Sequence, residues 1–283
     1  MQNVKFSELL HRYKVFFFDS YGVIKNYKGI IDGVPQLFEQ LHRNNIPYYL
    51  LTNDASRSPA EMAEKFHQTG LNWITEEVII TSGMMAKEYL KYKVPQGKVA
   101  YLGTLGSAYY VESLGLEAIH LNDLQRQDFD DIKAFLFLDD EGFDWSNSIN
   151  LTINLLRKRN IPVVVANSDK IYPVSKEQVA VAIGSLANLV ESIVQKRFIK
   201  FGKPDSQMFM YAYEKLLEKQ VVSKSEILMI GDTLHTDILG GNKFGLDTAL
   251  VLSGNTLLEQ LEHSVNNTGI IPTYVCESVS MLD

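Results

Sequence analysis

Cysteine is almost missing from this chain. The single one, Cys276, excludes an intrachain disulfide and fits a reducing compartment. Positive charge is also scarce, with 27 Lys and Arg against 34 Asp and Glu. A net charge of −7 argues against the broad basic face on which nucleic-acid binding usually rests. A local anion site escapes that argument, because a site is built from the few charges that line it. Long apolar runs are absent too. The first residues, MQNVKFSELLHRYKV, show neither a signal peptide nor a membrane anchor. A soluble cytoplasmic protein with no nucleic-acid or membrane partner is the expectation. No repeat, low-complexity tract or Gly/Ser/Pro-rich linker breaks the chain.

What is present is an ordinary globular composition, 46% apolar and 22% charged, enough to bury a sizeable core. At roughly 150 residues per domain, 283 residues are comfortable for two domains. Short apolar runs of strand length lie at 15–18, 47–51, 78–80, 99–102, 134–138, 162–166, 227–230 and 248–252. Amphipathic helical patterns fall between many of them, at 34–44, 59–69, 146–159, 186–196, 205–219 and 236–244. Such alternation predicts an α/β fold with mostly parallel sheets buried on both faces.

The strand ends carry a further pattern. Four apolar runs stop in DSYG, TND, TSG and GDT, delivering Asp19, Thr52, Thr81 and Asp232. In open α/β sheets the ligand crevice lies beyond the carboxyl ends of the strands, so one site assembled from distant segments is expected. Polar turns after strands are common, and the bland reading is that these are such turns. The middle of the chain lacks an equally dense set, the nearest being ANSDKIYP at 166–173. It is expected to be an inserted domain with its own small sheet: core 1–85, insertion 86–184, core 185–283.

The chemistry follows from residue types. A carboxylate such as Asp19 can act as a nucleophile, and Gly22 permits a tight turn behind it. Asp232, with Asp237 about a helical turn later, suits a hard divalent cation, which takes one or two carboxylates beside substrate phosphate. Without a cation, adjacent carboxylates repel until one protonates. Thr52 offers a hydroxyl and Asn53 a backbone N–H to a phosphoryl oxygen, and Ser58–Pro59 reads as a helix start. Lys203 follows another apolar stretch, with Pro204 expected at a first helical position. A lysine there would neutralise the transferring group and restrain Asp19. Phosphoryl transfer depends on such positioning and charge stabilisation.

In this order and strand context, DSYGV, LLTND, FGKP and GDTLHTD resemble the four motifs of the haloacid dehalogenase (HAD) superfamily. SRSPAEMAEKF, NSDKIYP, GDTLHTDILGGNKFGLDTALVLSG and IPTYVCESVSML extend the resemblance, over nearly the whole chain, to the NagD and p-nitrophenyl-phosphatase-like group, subclass IIA. The resemblance implies a Rossmann-type core with an α/β C2-type cap inserted between the second and third motifs. It also implies Mg2+-dependent hydrolysis of small phosphorylated metabolites, often sugar phosphates. On that basis Asp19 is the nucleophile and a metal ligand, Asp232 a second ligand, and the main-chain carbonyl of Tyr21 a third. Thr52, Asn53 and Lys203 bind substrate, Thr52 and Lys203 counting also as catalytic, and Asp237 orders the metal's surroundings. A homodimer through the cap is an option that the resembled group uses.

Tyr21 departs from the pattern. Phosphatases of the superfamily usually place a second Asp there, which protonates the leaving oxygen and then activates water. A phenol of ordinary pKa about 10 is a poor substitute, and lost acid–base help typically costs about 10²–10⁴-fold. A D-x-Y-G start also resembles the 2-haloacid dehalogenases, in which halide leaves without a proton. Those enzymes use no Mg2+ and lack the GDxxxxD pair retained here, so phosphate is favoured. A third reading is an impaired protein that binds a phosphorylated ligand without turnover. Asp169 in NSDKIYP is a candidate base borrowed from the cap, although a turn former is the commoner role for such an Asp. Asp54 and His235 are lesser departures. Arg57 could steer an anion, and the pairs Tyr48–Tyr49 and Tyr109–Tyr110 are read as packing.

Overall fold

The computed structural model describes residues 1–175 and 178–282. Among them the strands are, in chain order, β1 (Gln2–Asn3), β2 (Val15–Phe18), β3 (Lys25–Asn26), β4 (Gly29–Ile30), β5 (Tyr48–Thr52), β6 (Ile79–Thr81), β7 (Lys98–Leu102) and β8 (Glu117–His120). There follow β9 (Ile132–Phe137), β10 (Val163–Val165), β11 (Ile171–Pro173), β12 (Val179–Val181), β13 (Ile199–Lys200), β14 (Ile227–Gly231), β15 (Asp247–Val251) and β16 (Tyr274–Cys276). No helix of the described residues is long and apolar enough to cross a membrane.

The chain divides into two compact units. The first comprises Met1–Thr52, Pro59–Ile80 and the chain from Lys203 onward. Its seven-stranded sheet has the order β1-β16-β15-β14-β2-β5-β6. The pairs β2/β5, β2/β14, β14/β15, β15/β16 and β1/β16 are all parallel. All four residues of β2 are fully buried, as expected for a central strand covered on both faces. Phe16 and Phe18 point to one side and join Phe6, Phe38 and Tyr48, with Phe38 and Tyr48 ring centroids 4.9 Å apart. Each such ring contributes about 1.5–3 kcal/mol on burial. Phe38 comes from the helix Val34–Arg43, whose Val34, Leu37, Phe38 and Leu41 are buried, the i, i+3, i+4, i+7 spacing of one helical face.

The register places the chemistry. From β2 the chain continues on one side through β5 and β6, whereas β14, β15 and β16 lie on the other. The reversal therefore falls between β2 and β14, where Ile230 is opposite Phe18. At such a switch point the crevice opens beyond the strand ends, and Asp19 and Asp232 are the residues that follow.

The second unit comprises Asn53–Ser58 and Thr81–Gly202. It has a five-stranded parallel sheet of order β13-β10-β9-β7-β8 and its own core, including Phe135, Phe137, Leu155, Val163, Ile183 and Val190. The expected insertion, 86–184, stops too early. The helix Ile183–Val194 packs Ile183, Leu186, Ala187 and Val190 into this core, and β13 pairs with β10, so the unit runs to Gly202. It also takes in the 53–58 loop, where Ser82 Oγ donates to the Asn53 carbonyl at 2.8 Å and Tyr110 OH to that of Arg57 at 2.7 Å.

Candidate active site

Asp19 sits one residue past β2, with its N–H donated to the Ile230 carbonyl at 2.8 Å. One carboxylate oxygen, Oδ1, carries both of its close contacts: the Ser20 N–H at 2.7 Å and the Lys203 ammonium at 2.6 Å. Lys203 is only 2% exposed and lies 2.8 Å from Asp237 Oδ1 as well. Asp237 Oδ1 is itself fully buried, with the Lys203 ammonium as its counter-charge. The other oxygen of Asp237 accepts from the Thr233 N–H at 3.1 Å.

Asp237 owes its place to a wide turn. The expected 236–244 helix begins instead as a π-helical turn, Leu234–Ile238, that runs into the helix Leu239–Phe244. Such turns recur at functional sites because they re-aim a side chain. Gly231 makes the approach possible, since a Cβ there would lie 2.1 Å from Asp237 Cβ.

Asp232 is locked from three sides. Its Oδ1 accepts from Thr233 Oγ1 at 3.1 Å, its Oδ2 from the Asn255 N–H at 2.6 Å, and its carbonyl from Thr256 Oγ1 at 2.7 Å. Two glycines sandwich the carboxylate: a Cβ at Gly22 or Gly254 would lie 2.1 or 2.0 Å from Oδ2. Gly22 also adopts φ +82°, a left-handed conformation natural to glycine. Its carbonyl accepts from Ser253 Oγ at 2.6 Å.

Burial pushes the Asp19 carboxyl well above the usual carboxylate range; Lys203 opposes the shift, and Asp237 and Asp232 add to it. Burial, with Asp237 beside it, pushes Asp232 up to about 7, against the Asn255 N–H, the Thr233 hydroxyl and Lys203. Burial alone would discharge Lys203, but Asp19 and Asp237 outweigh it and hold the ammonium protonated more firmly than usual. Three carboxylates thus surround one ammonium, and oxygens of Asp19, Asp232 and Asp237 lie within 4.8 Å of one another. No other group of three His, Cys, Asp or Glu among the described residues offers ligand atoms this close. Excess negative charge and an all-oxygen donor set fit a hard divalent cation.

The structure thus brings Asp19, Lys203, Asp232 and Asp237 together. Thr52, 7% exposed and the last residue of β5, reaches the same edge, because Leu50 stands opposite Phe18. Tyr21 lies just past Asp19, bridging to Lys25; burial, then Asp232 and Tyr27, push its phenol up. His235 is exposed.

Other expectations need correction. Thr81 caps the helix Ser82–Lys93, accepting from the Met84 N–H at 3.2 Å, and meets Tyr110 OH at 2.8 Å. Pro204 is not a first helical residue; Asp205 is the N-cap and the helix Ser206–Leu217 follows. Residues 53–58, expected in the core, belong to the second unit, where the Asn53 side-chain amide donates to Asp169 Oδ1 at 2.9 Å. Missed altogether was the Ser253–Gly254–Asn255–Thr256 loop that cradles Asp232. Its signal was available: a run of small polar residues directly after an apolar strand.

Comparison with known proteins is consistent along the chain. A family model described as haloacid dehalogenase-like hydrolase matches residues 16–117, and a HAD-hydrolase-like one matches 200–282. A solved structure described as a possible sugar phosphatase of the HAD superfamily, from Cytophaga hutchinsonii, is 51% identical, with a TM-score of 0.94 over 99% of each chain. Human chronophin is 27% identical over 97% of this chain and 94% of its own. The acid sugar phosphatase of Staphylococcus aureus strain USA300 is 27% identical over 94% of this chain and 95% of its own.

Proposed function

Because this chain belongs to the haloacid dehalogenase superfamily, we propose that its phosphatase chemistry proceeds through a phosphoryl group carried on Asp19, and that the substrate is a small phosphorylated metabolite of the sugar-phosphate class. One observation carries the reading: a strand-end carboxylate held by a buried ammonium, with two further buried carboxylates beside it. The names of the Cytophaga and Staphylococcus relatives support the sugar-phosphate part.

Both close contacts of the Asp19 carboxylate sit on Oδ1, which leaves Oδ2 to attack phosphorus as the bond to the leaving oxygen breaks. Lys203 neutralises the developing charge on the phosphoryl oxygens, and the ion pair with Asp237 holds it in place. The Thr52 hydroxyl and the Asn53 N–H donate to the same oxygens. Water then hydrolyses the aspartyl-phosphate, restoring Asp19 and releasing inorganic phosphate. Mg2+ would be held by Asp19, Asp232 and the main-chain carbonyl of Tyr21, and would supply charge neutralisation at the phosphoryl group.

The weak point of this chemistry is position 21, where a phenol stands instead of a carboxylic acid. Leaving groups that depart without a proton are therefore expected to be the fastest. The test is phosphate release from a panel of sugar and nucleotide phosphates, with and without Mg2+, beside chloride release from 2-chloropropionate. Metal-dependent phosphate release, abolished by Asp19→Asn in a folded protein, is expected. Full activity of that variant would exclude nucleophilic catalysis. Chloride release would select the dehalogenase, and tight ester binding with neither product a ligand-binding protein.

A further inference from the structure

Asp169 was expected as a candidate base, and the structure gives it a different setting. Its N–H is donated to Asn167 Oδ1 at 2.9 Å, and its carbonyl accepts from the Gly184 N–H at 3.1 Å. Gly184 allows that approach, since a Cβ there would lie 2.4 Å from the Asp169 oxygen. The backbone is therefore pinned on both sides, and the side chain delivers Oδ1 to the Asn53 amide at 2.9 Å.

Asn53 is itself 4% exposed and held at other points. Ser82 Oγ donates to its carbonyl at 2.8 Å. Its Oδ1 faces Gly202, where a Cβ would lie only 2.5 Å away. Asn53 and Gly202 are the first and the last residue of the second unit. Their covalent neighbours are Thr52 and Lys203, both assigned above to the phosphoryl group. The Asn53 side chain thus lies against Gly202, and Asp169 holds that side chain.

We infer that Asp169 is a positioning residue that acts through Asn53, fixing the direction of the Asn53 N–H beyond the end of β5. This rests on the phosphatase reading for what the N–H binds. It assigns Asp169 the part of hydrogen-bond acceptor, a part that an asparagine at 169 also fills through its own Oδ1. A carboxylate serving as proton carrier has no such substitute. Small misplacements of an oriented donor cost up to about 10²-fold in rate.

The experiment compares the full-length wild type with Asp169→Asn, Asp169→Ala, Asn53→Ala and the Asn53→Ala/Asp169→Ala double variant, each first checked for folding by thermal melting. Turnover of p-nitrophenyl phosphate with Mg2+ gives kcat and KM, and calorimetric titration with inorganic phosphate gives affinity without turnover. Expected are a fall in kcat of about tenfold or more for Asp169→Ala, near-wild-type behaviour for Asp169→Asn, and a double variant no worse than Asn53→Ala alone. Phosphate affinity should follow the same order. Equal losses in Asp169→Asn and Asp169→Ala, additive losses in the double variant, or no loss in Asp169→Ala would each overturn the inference. Should the wild type bind phosphate but hydrolyse nothing, the phosphatase reading fails, and the affinity order still decides the role of Asp169.

Discussion

At the carboxyl edge of the first unit's sheet, Asp19 and Asp237 share the Lys203 ammonium, and Asp232 stands beside them. Beyond the strands of the second unit's sheet there are acids too, but neutral donors hold them. Asp139 accepts from the Glu141 N–H at 3.2 Å, and Asp169 from the Asn53 amide at 2.9 Å. The central strands of both sheets are parallel, and both sheets have carboxylates beyond their strands. An acid at a strand end becomes chemistry only where a counter-charge is built around it. Elsewhere it closes a turn, as Asp139 does, or holds a neighbouring side chain, as Asp169 holds Asn53.

The largest effect expected is therefore that of removing the counter-charge. Lys203→Met keeps the length of the side chain and deletes the ammonium, leaving buried carboxylates uncompensated. Breaking a buried ion pair from one side costs about 3–5 kcal/mol, so thermal melting should fall steeply and phosphate release should vanish. A stable variant with measurable turnover would show that the first unit's acids are no different from the second unit's. Next in size is Gly254→Ala, which places a methyl group where Asp232 Oδ2 now sits. A loss of kcat of about 10²-fold is expected, with the Mg2+ requirement shifted to higher concentration. Unchanged kinetics would mean that the loop yields and that Asp232 is not held by it.

Much of this contrast was legible in the residues. Eight strands of the two sheets follow from apolar runs, because buried parallel strands are written as continuous β-branched and aromatic stretches, whereas β1, β8, β13 and β16 and the helix Ser82–Lys93 were not read. Asp19, Lys203, Asp232 and Asp237 stood out because each follows or borders such a run. Three further things did not show. The far limit of the second unit depends on the helix Ile183–Val194 choosing one core over another, which periodicity cannot tell. Thr81 looked like Thr52, yet its hydroxyl caps a helix, and only the fold separates an N-cap from a ligand group. The cradle of Asp232 is made by backbone N–H groups and missing Cβ atoms, which residue types hardly record.

Tyr21→Asp sharpens the comparison from the opposite direction, by adding an acid where the first unit lacks one. If the missing proton carrier limits turnover, phosphate release from a poor leaving group should rise by at least about tenfold. The effect should be smaller for p-nitrophenyl phosphate, whose leaving oxygen needs little protonation. Equal rates for the wild type and the Tyr21→Asp variant on both esters would mean that another group already does the work.

The smallest effect is expected in the second unit. Burial, then Asp140 and Asp54, push Asp139 up to about 7. A carboxyl whose folded pKa lies above its unfolded value binds more protons folded than unfolded between the two. Its contribution is therefore full below about pH 4 and lost as pH rises through about 7. Asp139→Asn removes that loss, and its amide oxygen can still accept from the Glu141 N–H. Melting at pH 8 should rise by about 2 °C or more, with a smaller rise at pH 5 and little change near pH 4, read by calorimetry at all three pH values. The same variant then tests whether this acid is a spectator. A loss of phosphate release as deep as that of Gly254→Ala would give the second unit's edge a chemical part, and the contrast between the two sheets would no longer hold.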